Sequence, residues 1–176
     1  MSTHEIRVFG DPVLKTKASE VADIDGKLVT LADQMLEAMY AAPGLGLAAP
    51  QIGVQKQLFV YDVGDGARTL VNPVIQETSG EWVYDEGCLS IPGLYVEILR
   101  PKEVLVRGWD LDGNEVTIEA DDVLGRLMQH ELDHLNGVLM FDRMTVEQRK
   151  EAMKEWRQLQ SEPQPAERPR RRLRLR

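Results

Sequence analysis

Cysteine and long apolar runs are scarce in this chain of 176 residues, and each scarcity excludes a class of protein. Cys88 is the single cysteine. A lone cysteine cannot form an internal disulfide, so the composition favours a cytoplasmic location. No run of about 18 apolar residues occurs, so we expect no membrane span. The opening MSTHEIRVFGD lacks the basic and apolar regions of a secretory signal, and it is not rich in arginine or serine as transit peptides are.

Charge is distributed unevenly along the chain. The formal net charge is −8. Residues 163–176, PQPAERPRRRLRLR, hold six arginines and one glutamate and so carry +5, which leaves −13 on the rest. A basic tail on an acidic body suggests contact with nucleic acid or another anionic surface. We therefore expect a catalytic or binding domain at 1–162 and a Pro/Arg-rich tail at 163–176 without a fixed fold.

The hydrophobic pattern predicts an α+β domain. Helices are expected at 24–42, about 121–136 and roughly 145–160, because apolar residues recur there at three- and four-residue spacing. Strands are expected at 57–63, 69–75, 95–99, 103–110 and 115–120, with residues 81–93 as strand and turn. Asp121 and Asp122 are expected at the start of the second helix, and a Thr-x-x-Gln capping box at the start of the third. The glycine-rich stretch at 44–53 is expected to be a close-packed backbone segment.

The motif QHELDHLNG, at residues 129–137, predicts a metal site. His130 and His134 lie four positions apart, so on a helix both imidazoles reach one ion from the same face. Glu131 points elsewhere around the helix but is close enough to contact a water at the metal. Because apolar residues cover much of this helix, we expect it to be buried, and buried histidines need partners.

Two histidines do not complete a catalytic metal site, and the sequence offers several third ligands. His4 lies near the amino terminus, where a solvated role is the simpler interpretation. A thermolysin-type site would use a glutamate downstream, and the third helix offers Glu147, Glu151 and Glu155. Cys88 lies in YDEGCLSIPG, although a lone cysteine is more often a small apolar side chain. Residue types alone leave these alternatives open.

Three motifs together resemble the signatures of the bacterial-type peptide deformylase family. GLGLAAPQIG, EGCLS and QHELDHLNG occur in this order, and the opening FGDPVLKTKASEV and the first helix also match. The similarity runs from about residue 5 to about residue 145. It implies antiparallel strands that partly enclose a buried central helix carrying the metal-binding HExxH motif, with one helix before it and one after.

The resemblance also implies a reaction and its residues. The substrate would be a nascent polypeptide that starts with N-formylmethionine, and the products would be formate and a free amino terminus. Cys88, His130 and His134 would bind the metal, with Fe²⁺ as the native ion and Zn²⁺ or Ni²⁺ as substitutes. Glu131 would transfer the proton, while the Gln51 side chain and the Leu89 backbone N–H would stabilise the oxyanion.

The remaining expectations concern the substrate cleft and the surface. By analogy, the residues that would contact the substrate are Gly44, Leu45, Gly46, Gly87 and Leu127, and the glycines would let its backbone approach closely. Glu86 and Asp133 are candidates to hold the metal ligands, with Arg100 as a cationic partner of one of them. The third helix would contact the ribosome. Two interpretations of the tail stay open: it extends this contact to ribosomal RNA, or it only keeps the protein soluble. Two rival functions stay open: a thermolysin-like peptidase, and a non-enzymatic RNA-binding protein with a structural zinc site.

Overall fold

The computed structural model describes residues 5–161. The predictions made for His4 and for the tail at 163–176 therefore lie outside the described residues. No helix within the described range is long and apolar enough to cross a membrane.

Three α-helices occur close to the predicted positions. They are α1 (Gly26–Ala41), α2 (Asp122–Leu135) and α3 (Val146–Ser161). Asp25 caps α1 by accepting a hydrogen bond from the Leu28 N–H, and the predicted Thr145–Gln148 capping box at α3 is confirmed, with reciprocal bonds of 3.1 and 3.2 Å. At α2 the expected start is also confirmed, with Asp121 at the N-cap and Asp122 in the first turn, although the Asp121 side chain makes no capping bond.

Seven strands form two antiparallel sheets. The strands are β1 (Gly46–Ala48), β2 (Leu58–Tyr61), β3 (Arg68–Ser79), β4 (Trp82–Cys88), β5 (Ile91–Arg100), β6 (Glu103–Trp109) and β7 (Glu115–Ala120). Five of them form a sheet in the order β1-β2-β3-β6-β7, and β4 and β5 form a separate hairpin. Within the described residues, β1 and β4 each have only one strand neighbour, so each leaves one edge unpaired.

Several boundaries differ from the sequence-based expectation. β3 continues to Ser79, beyond the predicted end at residue 75, because its polar residues still pair with β6 although they are exposed. β5 begins at Ile91, four residues early, because Ile91 pairs with Cys88 despite the Pro-Gly that follows. The stretch at 44–53 is close-packed as expected, but it folds into β1 and a 3-10 turn, Ala49–Ile52.

Helix α2 lies in the core against the large sheet. Its apolar side chains Leu127, Met128, Leu132 and Leu135 pack with Phe59, Leu70 and Val106 of β2, β3 and β6. Gly137 follows the helix with φ of +70°, the left-handed conformation that favours glycine at this position. The buried apolar face fixes the rotation of α2, and that rotation decides where His130 and His134 point.

The hairpin β4–β5 is fastened to a second cluster. Ile91, Leu94 and Ile98 of β5 pack with Phe141, Ala152 and Trp156, which lie on the chain after α2. The hairpin therefore lies between α2 on one side and α3 on the other. Its unpaired β4 edge and the unpaired edge of β1 belong to different sheets, and α2 contributes to the cleft that both strands line.

Candidate metal centre

Cys88, His130 and His134 converge on one point between α2 and β4. Cys88 Sγ lies 3.2 Å from His134 Nε2, and His134 Nε2 lies 3.2 Å from His130 Nε2. All three donor atoms lie within 4.8 Å of one another. Among the described residues this is the group that could hold a metal ion. One thiolate and two imidazoles suit a borderline-soft divalent metal such as zinc or iron, whereas calcium and magnesium favour oxygen ligands.

Glu86 orients His130 from the far side of its ring. The His130 Nδ1–H donates to Glu86 Oε1 at 2.7 Å, which leaves Nε2 facing Cys88 and His134. Arg100 binds both oxygens of the Glu86 carboxylate, at 2.7 and 2.8 Å, and also donates to Asp133 at 2.8 Å. Arg100 therefore pairs with both acids that the sequence singled out, and these buried contacts fix the ring that carries one donor nitrogen.

The ionisable groups of this pocket shift one another's pKa values. Burial alone would raise the pKa of Glu86, but hydrogen bonds from Arg100 and His130 hold it well below the usual range. Burial would likewise lower the pKa of His130, but contacts with Cys88 and Glu86 raise it well above its ordinary value. Burial and the neighbouring His130 lower the pKa of His134. A metal ligand must be deprotonated, so a bound cation would replace the proton that these contacts favour on His130.

Glu131 lies next to the three donors with one free carboxylate oxygen. Its side chain is 4% exposed, and its Oε2 has no hydrogen-bond partner. Burial raises the pKa of Glu131 to about 7. A carboxyl group whose pKa lies near neutrality both accepts and donates a proton readily at physiological pH.

Gln51 is buried next to Cys88. The Ala48 N–H donates to its Oε1 at 2.9 Å, and this bond assigns the amide orientation. Its Nε2 donates to Ser90 Oγ at 3.1 Å and lies 3.8 Å from Cys88 Sγ. Leu89 stands between Cys88 and Ser90. The 3-10 turn and the β4–β5 turn thereby bring an amide N–H of Gln51 and the Leu89 backbone close to Cys88.

A cleft of about 580 Å³ opens over this cluster. The sequence-predicted residues on its lining are Gly44, Leu45, Gly46, Gln51, Gly87, Cys88, Leu89, Leu127, His130 and Glu131. They come from β1, the 3-10 turn, β4, α2 and the loops before β1 and after β4. The cleft therefore gathers the predicted proton-transfer, oxyanion and substrate residues around the donor cluster.

Comparison with known proteins identifies the family. The model of the polypeptide deformylase family matches residues 3–150. The chain belongs to this family. A peptide deformylase of Clostridium botulinum is 50% identical over 145 residues, which cover 82% of this chain and 99% of that protein. One of Acidothermus cellulolyticus is 48% identical over 154 residues, or 88% of this chain and 86% of that protein.

Solved structures of deformylases share the fold. The crystal structure of the Thermotoga maritima peptide deformylase has a TM-score of 0.80 and 44% identity, and it covers 82% of this chain and 99% of that one. The Synechococcus elongatus peptide deformylase, in complex with actinonin, has a TM-score of 0.82 and 43% identity over 85% of this chain and 84% of that one. The α+β fold with three helices and antiparallel sheets is thus confirmed.

Family membership removes the two rival functions. In a thermolysin-like peptidase a downstream glutamate would approach the histidines, but Glu147, Glu151 and Glu155 are all exposed on α3. A structural zinc site on an RNA-binding protein would not carry this family's sequence over residues 3–150. The metallohydrolase hypothesis is therefore the one that remains.

Three glycines of the cleft border side chains of the site. The expectation that they admit the substrate backbone stays a prediction, and the enzyme's own side chains lie where a Cβ would point. A Cβ on Gly46 would lie 2.5 Å from Glu131 Oε1, one on Gly44 2.5 Å from Leu89 Cδ1, and one on Gly87 2.5 Å from Tyr95 Cε1. These glycines let side chains of the site lie against bare backbone.

Sequence reasoning missed two arginines of this site. Arg126 on α2 donates to Glu86 at 2.9 Å and to the Trp82 carbonyl at 2.7 Å. Arg143 donates to both oxygens of Asp133. Arg126 precedes His130 by four residues, so the helical spacing that revealed the histidines could also have placed Arg126 on their face. Arg143 lies beyond the helix, and no local pattern identifies its partner.

Proposed function

We propose that Cys88, His130 and His134 hold one catalytic divalent metal and that Glu131 carries the proton in a deformylation reaction. The reaction class follows from the family: the chain is a metallohydrolase that removes the formyl group of N-formylmethionine on nascent polypeptides. Water adds to the formyl carbon, and the carbon–nitrogen bond breaks. The products are formate and the free amino terminus. The convergence of three donor atoms within 4.8 Å is the observation that carries the proposal.

The bound cation supplies Lewis acidity, which would polarise the formyl carbonyl and make water acidic enough to attack near neutral pH. We propose Fe²⁺ as the native ion, as the family resemblance implies, with Zn²⁺ or Ni²⁺ as substitutes, and a thiolate with two imidazoles suits all three metals. The central helix α2 would thus be the metal-binding element, with its HExxH motif supplying two ligands and the base. Glu86, itself held by Arg100, keeps the His130 ring turned toward the ion.

Glu131 takes a proton from the attacking water and passes it to the leaving amine. Its free Oε2, its burial and its pKa of about 7 support this role. Gly46 supports it as well, because the missing Cβ leaves room for the carboxylate beside β1. Proton transfer by a positioned group contributes roughly a factor of 10² to 10⁴ in rate.

Gln51 and the Leu89 backbone N–H would stabilise the negative charge that develops on the formyl oxygen. The Gln51 amide is held by Ala48, so the donor needs little reorganisation when the charge develops. One hydrogen of its Nε2 is donated to Ser90 Oγ. The second hydrogen is directed at Cys88 Sγ, 3.8 Å from Nε2, and would turn to the oxyanion when the substrate binds.

The polypeptide would bind as an extended strand in the cleft. β1 and β4 both line the cleft and are strands whose outer edges are unpaired within the described range, and an extended substrate can use such backbone groups. Leu45 and Leu127 would contact the methionine side chain. Gly44, Gly46 and Gly87 would contribute indirectly, by letting Leu89, Glu131 and Tyr95 lie close to the backbone that borders the substrate.

We place this enzyme in the cytoplasm, where nascent chains leave the ribosome, and we propose 1–162 as its catalytic domain. Helix α3 and the arginine-rich residues 163–176 would hold it near ribosomal RNA. The proposal as a whole is tested by formate release from a formyl-methionyl peptide, with the unformylated peptide as the matched control. Stoichiometric formate from the first peptide alone supports it, and an absence of formate from the metal-loaded enzyme contradicts it.

A further inference from the structure

Arg126 joins the helix below the cleft to the strand that forms one wall. It lies on α2, is 5% exposed, and uses two nitrogens to contact β4. Its Nη1 donates to Glu86 Oε2 at 2.9 Å, and its Nη2 donates to the Trp82 carbonyl at 2.7 Å. These charge-assisted bonds are geometrically specific, so they fix strand and helix relative to each other.

Two aromatic rings of β4 cover the same guanidinium. Trp82 and Tyr84 stack at a centroid distance of 4.5 Å and an interplanar angle of 29°. The Arg126 Cζ lies 5.2 Å from the Trp82 ring and 5.8 Å from the Tyr84 ring. A cation at these distances is attracted to the faces of both rings. Arg126 thus contacts three alternate residues of β4, which point to the same side of the strand.

Few strand-to-strand contacts hold β4 in position. Within the described residues it pairs only with β5, and neither strand joins the large sheet. Tyr84, Glu86, Val123, Arg126 and Leu127 all line the cleft. A change in the spacing between α2 and β4 therefore changes the space available to a substrate side chain beside Leu127.

We propose that Arg126 is a positioning residue that sets the separation of α2 and β4, and thereby the selectivity for the first side chain of the substrate. This inference rests on the proposed function. Arg126 acts through Tyr84, Trp82 and Glu86 and takes no part in the chemistry. Its Nε has no hydrogen-bond partner. Its contribution therefore comes from the two Nη contacts and the stacked rings.

The positioning role of Arg126 can be tested separately from metal binding. Without Arg126, the Glu86 carboxylate keeps two hydrogen bonds from Arg100 and the one from His130. The three metal donors would therefore stay in place. Loss of Arg126 should change which substrates fit while leaving the metal bound.

The experiment compares formyl-methionyl, formyl-alanyl and formyl-phenylalanyl peptides of otherwise equal sequence. In Arg126→Met, which keeps the stem and loses the guanidinium, KM for the methionyl peptide should rise more than kcat falls. The preference for methionine over the other two should drop by about tenfold, since pocket fit is worth roughly 10- to 200-fold. Metal per chain should be unchanged. Arg126→Lys keeps a cation and should restore part of the preference.

Arg107→Met is the matched control, because Arg107 makes only an exposed 3.5 Å contact with Glu115. Tyr84→Leu is the second variant: it removes a ring that Arg126 contacts and should also reduce the preference. If Arg126→Met does not fold, the preference for the methionyl peptide is measured in Arg126→Lys and Tyr84→Leu instead. An unchanged preference in the variants that fold, or loss of metal in step with activity at unchanged preference, would overturn the inference. A wild-type enzyme that releases no formate would instead refute the proposed function.

Discussion

At the scale of single residues, two adjacent positions of α2 have different roles in the proposed site: His130 binds the metal, and Glu131 transfers the proton. His130 turns its Nε2 toward the other donors because Glu86 holds its Nδ1. Glu131, the next residue, points toward Gly46 and keeps a free oxygen. Because these two side chains leave the helix in different directions, metal binding and proton transfer can be lost separately.

Glu131→Gln should lose turnover and keep the metal. The amide fills the same space beside Gly46 but cannot accept the proton, so kcat should fall by about 10² to 10⁴. Formate release and metal content are measured on the same preparation. Formate release near the wild-type rate would remove Glu131 from the proposed role.

At the scale of elements, two close approaches define the cleft: that of β1 to α2, and that of β4 to α2. The first depends on Gly46, which leaves room for the Glu131 carboxylate. The second depends on the buried ion pairs that centre on Glu86 and Asp133. The first approach bears on catalysis, and the second bears on stability and on the proposed selectivity for the first side chain of the substrate.

Gly46→Ala should reduce kcat without unfolding the protein. The new Cβ would lie 2.5 Å from Glu131 Oε1, so the carboxylate must move. A displacement of about 1 Å in a reacting group can cost about a hundredfold in rate. Gly26→Ala is the control, because no atom lies within 4 Å of its Cβ position. Equal kcat values for both variants would show that the position of the carboxylate is not critical.

Arg100→Met should destabilise the fold strongly. Arg100 is 4% exposed and neutralises both Glu86 and Asp133. Breaking a buried pair from one side leaves uncompensated charge, and the free energy of unfolding should fall by about 3–5 kcal/mol. Arg107→Met removes an exposed ion pair and should cost less than about 1 kcal/mol. Urea unfolding measures both, and similar losses would contradict the importance of burial.

The sequence predicted the elements better than their contacts. Periodicity located all three helices, and helical spacing placed the histidines of α2 on one face. The exposed polar end of β3 and the strand beginning at Ile91 were missed, since their pairing with distant strands outweighs their local composition. Arg126 and Arg143 were missed because their partners lie on other elements. Cys88 was one of several candidate third ligands by residue type, and only the family resemblance singled it out.

At the scale of the whole molecule, an acidic body precedes an arginine-rich segment. Residues 163–176 carry +5 and the rest −13. No group in that segment is needed for the proposed chemistry. We propose a contact role for that segment, in which its arginines pair with phosphates of ribosomal RNA.

Deletion of residues 163–176 should leave formate release from a short peptide unchanged and weaken co-sedimentation with ribosomes at low salt. Arginine–phosphate contacts weaken steeply as salt rises. The full chain should therefore lose its advantage in high salt. Co-sedimentation of the shortened chain equal to that of the full chain at low salt would refute the contact role.

Metal content and formate release, measured together in Cys88→Ser, test the central claim most directly. A hydroxyl is a far weaker ligand than a thiolate and does not ionise near neutral pH. Bound metal and formate release should fall together in Cys88→Ser, whereas Glu131→Gln retains the metal. Full metal content with the wild-type rate in Cys88→Ser would contradict the three-residue metal centre.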